Sequence, residues 1–178
     1  LDLKPNGHGV IWKLAREHGV FEWLQKLGRT HALVRQINNP VASTDYGVLA
    51  LMGYSQGRAI GFASCPRLVH AKEGMNIKKH FKNWVSLSNV EYCDLKRYGI
   101  ADEPRDEVSQ YSQFPSNTNI LFIDLKKVEE ASKRMPYPGL IVNFSKDKTH
   151  TRLESTMQNI ADILPEEETY ITYNFRKK

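Results

Sequence analysis

The residues best suited to chemistry fall in short polar groups, each set beside an apolar run. The first is Pro5-Asn6-Gly7-His8-Gly9, directly before a stretch with helical apolar spacing. Glycine carries no Cβ and adopts positive φ freely, so this backbone is able to approach a ligand closely. Its N–H groups, followed by the partial positive charge of a helix start, suit a phosphate or the edge of a planar base. His8 adds a donor for an anion and is the candidate catalytic residue. The competing reading is a surface turn that caps the helix. The spacing is neither GxGxxG nor a phosphate-binding loop ending in GKS or GKT.

Two further groups carry neutral amides at strand ends. Asn38 and Asn39 follow the apolar run His31–Ile37 and precede a helical pattern. In an open α/β sheet that edge is where ligands bind, although an Asx turn accounts for the same residues. Asn117, Thr118 and Asn119 repeat the arrangement before Ile120–Leu125. Amide side chains offer a donor pair and an acceptor, which suits sugar hydroxyls; a plain turn again competes. Glu91 and Asp94 lie in an alternating run, 84–95, read as a strand. There residues 91 and 93 share a face and 94 points away, so the two carboxylates do not form an acid–base pair. Glu91 alone is left, either to accept bonds from sugar hydroxyls or as an exposed strand carboxylate.

Other chemistries are not supported. The six histidines, His8, His18, His31, His70, His80 and His150, show no i, i+4 pair and no HExxH, which argues against a zinc protease. No GxSxG elbow is present. Cys65 and Cys93 are the two cysteines; they are far apart and form no CxxC, and a pair of buried, reduced thiols is expected. No apolar stretch reaches the roughly 18 residues of a membrane span. The net charge of +5 is modest. It suits a protein that handles phosphates, and the lack of an RNP-type aromatic motif argues against RNA binding. The basic ending Arg176-Lys177-Lys178 offers a weak candidate for phosphate contact.

The elements that must position these groups alternate between strand and helix. Apolar residues at Ile11, Leu14, Ala15, Phe21, Trp23 and Leu24 predict a helix over Val10–Leu27, broken near Gly19. Strands are predicted over 31–39, 59–65, 84–95, 119–125, 139–145 and 168–178, and helices from about 44 and over 126–135. Leu153, Met157, Ile160, Ala161 and Leu164 predict a further helix over 152–164. Residues 103–118 read as a loop, and the stretch at about 101–116 as the one plausible hinge. The class is α/β with a mixed sheet, and 178 residues fit a single domain.

In order and spacing, the segments 4–24, 35–45, 61–65, 73–77, 114–125 and 152–164 together resemble the UTP–glucose-1-phosphate uridylyltransferase (UDP-glucose pyrophosphorylase) family. The likeness is to its divergent plastid and chlamydia-like branch, and is most specific around Gly7–Gly9 and Asn117–Leu125. It implies a nucleotide-diphospho-sugar transferase fold, Rossmann-like, with a central mixed sheet. It also implies that Gly7, His8 and Gly9 bind the uracil and the nucleotide phosphates, and that Glu91, Asn117, Thr118 and Asn119 bind the sugar. Asn38 and Asn39 stand at the strand-end turn near sugar and metal, where the family has Asp then Asn. A neutral amide holds Mg²⁺ less well than a carboxylate. Asp45, close in sequence, or the substrate phosphates would then supply the missing ligand, and the metal-binding residues stay unassigned. The family's glycine-rich triphosphate signature would be expected before Leu1, and no such stretch is present. The chain is therefore expected to be a partial catalytic domain, inactive when isolated, from the middle or C-terminal part of a larger enzyme.

The activity implied is formation of UDP-glucose, or another UDP-hexose, and pyrophosphate from UTP and a hexose 1-phosphate with Mg²⁺. The alternative is a non-catalytic or regulatory member that binds a UDP-sugar. Neither a nucleic acid nor a membrane is expected as partner, and the location implied is a bacterial cytoplasm or the plastid stroma.

Overall fold

The computed structural model describes residues 7–37, 46–144 and 151–175. Asn38, Asn39, Asp45 and Arg176–Lys178 lie outside them. A 3-10 turn, His8–Val10, leads into α1 (Ile11–Glu17) and, after a break at Gly19, α2 (Val20–Lys26). Next come β1 (His31–Arg35), α3 (Tyr46–Gln56) and β2 (Ile60–Cys65). β3 (Met75–His80) and β4 (Val85–Val90) form a hairpin ahead of the short α4 (Asp94–Arg97). β5 (Ser116–Asp124) runs straight into α5 (Leu125–Arg134), with Asp124 capping the helix by accepting from Lys127 N–H at 2.9 Å. β6 (Ile141–Phe144) and β7 (Thr151–Glu154) pair apart from the main sheet. A 3-10 segment, Met157–Ile163, and β8 (Thr169–Tyr173) follow.

β5 organises the sheet because its apolar run is buried on both faces, as a central strand requires. Leu121 and Ile123 enter one layer with Trp12, Phe21, Phe62, Val128 and Ile160; Ile120 and Phe122 enter the other with Leu49 and Tyr170. α1, α2, α5 and the Met157–Ile163 segment thus cover one face, and α3 the other. The strand order is β4-β3-β5-β2-β8, with β1 also pairing β5. β2 and β8 are parallel, whereas the β1–β5, β2–β5 and β3–β4 pairs are antiparallel. The sheet is therefore mixed, as expected.

Several local expectations change. In α1 the inward residue is Trp12, 2% exposed, whereas Ile11, Leu14 and Trp23 remain exposed. Residues 152–164 are not one helix: Leu153 sits on β7, and Ser155–Thr156 turns the chain into a 3-10 segment. The expected strand over 84–95 stops at Val90. A turn closed by Asp94 N–H on Glu91 C=O at 2.9 Å then starts α4, so the face argument for residues 91, 93 and 94 does not apply. β3 was not anticipated, since Lys78 and Lys79 mask its alternation. Cys65 is buried as expected, but Cys93 is exposed. The loop before β5 is pinned: buried Arg67 grips Asp102 through two guanidinium nitrogens, each at 2.9 Å, and Ser112 donates to the same carboxylate at 2.6 Å. That loop is not a free hinge.

Candidate functional site

The sheet register gathers the predicted groups at one edge. β1 ends with Arg35 beside Ile120, β2 ends with Ser64 beside Asn117 and Cys65 beside Ser116, and β3 begins with Met75 beside Ser116. Asn117–Asn119 therefore stands where two strands finish and a third begins. Within β5 the pairing with β2 steps from Leu121–Phe62 to Asn117–Ser64, leaving extra residues on β5. The Asn-Thr-Asn group is this bulge rather than a turn ahead of the strand. Bulges re-aim side chains next to functional sites. Asn119 has φ +59°, a left-handed conformation that asparagine tolerates better than most residues. Its N–H donates to Asn117 Oδ1 at 3.0 Å, and Asn117 Nδ2 donates back to Asn119 Oδ1 at 3.0 Å. Thr118 Oγ1 is bound to Ala63 C=O at 2.6 Å.

Glu91 lies against the same place. Asn117 N–H donates to Gly74 C=O at 2.8 Å. A Cβ placed on Gly74 would lie 2.9 Å from both Asn89 Oδ1 and Glu91 Oε1. Asn89 Nδ2 donates to Glu91 Oε1 at 3.0 Å, which keeps the carboxylate oriented as an acceptor.

The Gly-His-Gly turn is joined to the site by the Ser155–Asn159 stretch. Gly7 has φ +78°, and a Cβ there would overlap Ser155 C=O and come within 2.7 Å of Ser155 N. On Gly9 a Cβ would overlap Ser155 Oγ and come within 2.7 Å of Thr156 N. Gly9 N–H donates to Ser155 C=O at 2.8 Å. Both glycines are thus required by contact with the protein's own backbone. His8 Nδ1 accepts from Met157 N–H at 3.0 Å. Burial lowers the His8 pKa, and Glu91 and Glu154 only partly oppose that shift. The imidazole is therefore neutral at pH 7, and with Nδ1 an acceptor its proton sits on Nε2. His8 keeps an exposed edge and offers a neutral N–H donor rather than a cation. Trp12 Nε1 donates to Met157 C=O at 2.8 Å, so Met157 is held at both its polar backbone groups.

The structure also contributes residues that sequence reasoning missed. Gln158 donates to Asn119 Oδ1, and Asn159 Nδ2 reaches Asn89 C=O at 3.0 Å and Ser88 Oγ at 3.2 Å. Asn76 pairs with Asn89 across β3–β4 and donates to Ser64 Oγ at 2.6 Å. The one available signal was the polar pair Gln158-Asn159 interrupting an apolar periodicity. Among the described residues, His8, Glu91 and Asn117–Asn119 are brought together; Asn38 and Asn39 fall outside them. No group of three or more His, Cys, Asp or Glu able to hold a metal occurs among the described residues. These residues do not by themselves fit a resident Mg²⁺.

No protein-family model matches the chain. Over 98% of its length it is 37% identical to UTP–glucose-1-phosphate uridylyltransferase 3, chloroplastic, of Arabidopsis thaliana. The chain is thus similar in sequence to a UTP–glucose-1-phosphate uridylyltransferase. It spans 24% of that Arabidopsis protein's length. Over 93% of its length it is 28% identical to UDP-sugar pyrophosphorylase of Oryza sativa subsp. indica, of which it covers 29%. Its fold matches that of a UDP-glucose pyrophosphorylase mutant from Leishmania major in complex with UDP-glucose. That match has a TM-score of 0.67 and 22% identity, and takes in 96% of this chain and 38% of the other. The resemblance carried by the motifs therefore stands, and so does the fold it implied.

Proposed function

We propose that the protein carrying this chain is a uridylyltransferase, which forms UDP-glucose or a related UDP-hexose and pyrophosphate from UTP and a hexose 1-phosphate. The observation that carries this reading is the meeting of Gly7–Gly9, Glu91 and Asn117–Asn119 at one sheet edge, joined by Ser155–Asn159. An oxygen of the hexose 1-phosphate attacks the α-phosphorus of UTP. A new P–O bond forms, the bond between the α-phosphorus and the bridging oxygen breaks, and pyrophosphate leaves with that oxygen. No covalent enzyme intermediate is required, so the protein's contribution is positioning and charge stabilisation. His8 donates through Nε2–H to the nucleotide, while Glu91 accepts from hexose hydroxyls and the Asn117–Asn119 bulge brackets the ring. Mg²⁺ is proposed as a companion of the nucleotide phosphates.

Among the described residues no helix is long and apolar enough to cross a membrane. A bacterial cytoplasm or a plastid stroma is the proposed setting. The test is release of pyrophosphate, with formation of a UDP-sugar, when the full-length protein meets UTP and glucose 1-phosphate. Absence of both product formation and UDP-glucose binding rejects the reading.

A further inference from the structure

Gln158 is 1% exposed, on a segment that touches every group of the candidate site. Its Nε2 donates to Asn119 Oδ1. Its neighbour Met157 donates to His8, and Asn159 on its other side binds Asn89, whose amide orients Glu91. Asn119 holds a left-handed backbone in the bulge, and a non-glycine residue there persists only where its surroundings fix it. Two side-chain amides do so, Asn117 from within the strand and Gln158 from the facing segment.

The acceptors left over point to the ligand's chemistry. The side-chain carbonyl oxygens of Asn76, Asn89 and Gln158 are buried and have no hydrogen-bond donor among the described residues. A buried amide oxygen with no donor is costly, and among the described residues none supplies one to these three. The partly exposed Glu91 carboxylate, with these enclosed oxygens behind it, makes the surroundings of this end of the site rich in acceptors. A carboxylate in such surroundings favours a neutral, polyhydroxylated ring over an anion.

We propose that Gln158 is a positioning residue for the sugar half of the substrate. It sets the Asn117–Asn119 bulge through Asn119, and so governs the affinity gained from the hexose while leaving the nucleotide half alone. This rests on the uridylyltransferase reading above.

The experiment measures binding of UDP and of UDP-glucose to the full-length protein by titration calorimetry. Wild type is compared with Gln158→Ala, Gln158→Met, Asn119→Ala and the Gln158→Ala/Asn119→Ala double variant. Gln158→Met keeps the buried volume and serves if the alanine variant does not fold. Either Gln158 variant is expected to weaken UDP-glucose roughly tenfold, the effect of one buried hydrogen bond, and to leave UDP within about twofold. Adding Gln158→Ala to Asn119→Ala is expected to cost less than about twofold more, because residues acting through one contact are not additive. Equal losses for UDP and UDP-glucose, no loss for either, or additive losses in the double variant each overturn the proposal. Failure of the wild type to bind either ligand rejects the uridylyltransferase reading itself.

Discussion

Replacing Gly9 by alanine separates two explanations for the Gly-His-Gly turn. If glycine is there to let a ligand approach, the substitution costs affinity and leaves the fold intact. The structure places the new Cβ within 2.7 Å of Thr156 N and 2.8 Å of Ser155 C, both backbone atoms that cannot swing aside. Ser155 and Thr156 are themselves fixed, donating to Pro138 C=O from Ser155 Oγ at 2.5 Å and from Thr156 N–H at 3.0 Å. Overpacking of this kind costs about 1–3 kcal/mol, and loss of the Gly9–Ser155 hydrogen bond adds about 1 kcal/mol. Restricting the unfolded chain returns about 0.4–1 kcal/mol. The net is about 1–3.5 kcal/mol, or a fall of about 2–14 °C in Tm for a domain of this size. The control is Gly47→Ala in α3, where a Cβ meets nothing within 4 Å; helix propensity there favours alanine by about 0.5–1 kcal/mol. Urea denaturation of both variants is the assay. A Gly9→Ala midpoint equal to wild type, with nucleotide affinity lost, refutes the packing argument and returns Gly9 to the ligand.

Two further outcomes follow from charge. Because burial lowers the His8 pKa, the unfolded chain binds more protons than the folded one just below pH 6.5. The stability contributed by neutral His8 is present above pH 6.5 and is lost as pH falls through the folded value. An NMR titration of the His8 ring is expected to show a midpoint below 6.5, and His8→Ala to weaken use of UTP; a midpoint above 6.5 contradicts the assignment. At Asp102, burial pushes the carboxyl pKa up, but Arg67, Ser112 and His70 N–H outweigh it and hold it at about 2 against an ordinary 3.8. Its contribution is present above 3.8 and lost as pH falls toward 2. Asp102→Asn is expected to cost about 3–5 kcal/mol by stranding the buried Arg67 charge, and acid denaturation that matches wild type argues otherwise.

Much of the architecture was legible because apolar period and burial coincide. Ile120–Ile123 is buried on both faces and reads as a central strand, and α5 is bounded by a capping aspartate. Legibility failed where local pattern and tertiary context diverge. Leu153 and Met157 keep a helical spacing although one lies on β7 and the other on a 3-10 segment, since apolar spacing does not record a turn at Ser155-Thr156. Trp12 takes the buried position beside exposed Ile11 and Leu14 because its indole N–H finds Met157 C=O, a partner 145 residues away. Glu91 reads as a strand carboxylate in the sequence, yet its setting comes from the turn after Val90 and from the Asn89 amide.

The same distinction decides how the site is built. From sequence, the polar groups at residues 7–9, 91 and 117–119 are separate motifs, each with an ordinary turn as its rival. Folding gives them a common partner in Ser155–Asn159, a stretch whose residue types suggest a helix rather than a site. That stretch packs on Gly7 and Gly9, holds His8 through Met157, holds Asn119 through Gln158, and reaches the Asn89–Glu91 pair through Asn159. Its three hydrogen bonds to α1 and the turn, and its packing against β4 and α5, leave it few alternative conformations. Groups fixed this way lose little freedom when a ligand arrives, so more of each contact's energy appears as affinity. A change anywhere in the stretch must therefore reach both the nucleotide-facing and the sugar-facing groups, unless it is confined to one side chain. Gln158 is such a side chain: its amide donates to the bulge alone, while the backbone that holds His8 belongs to Met157.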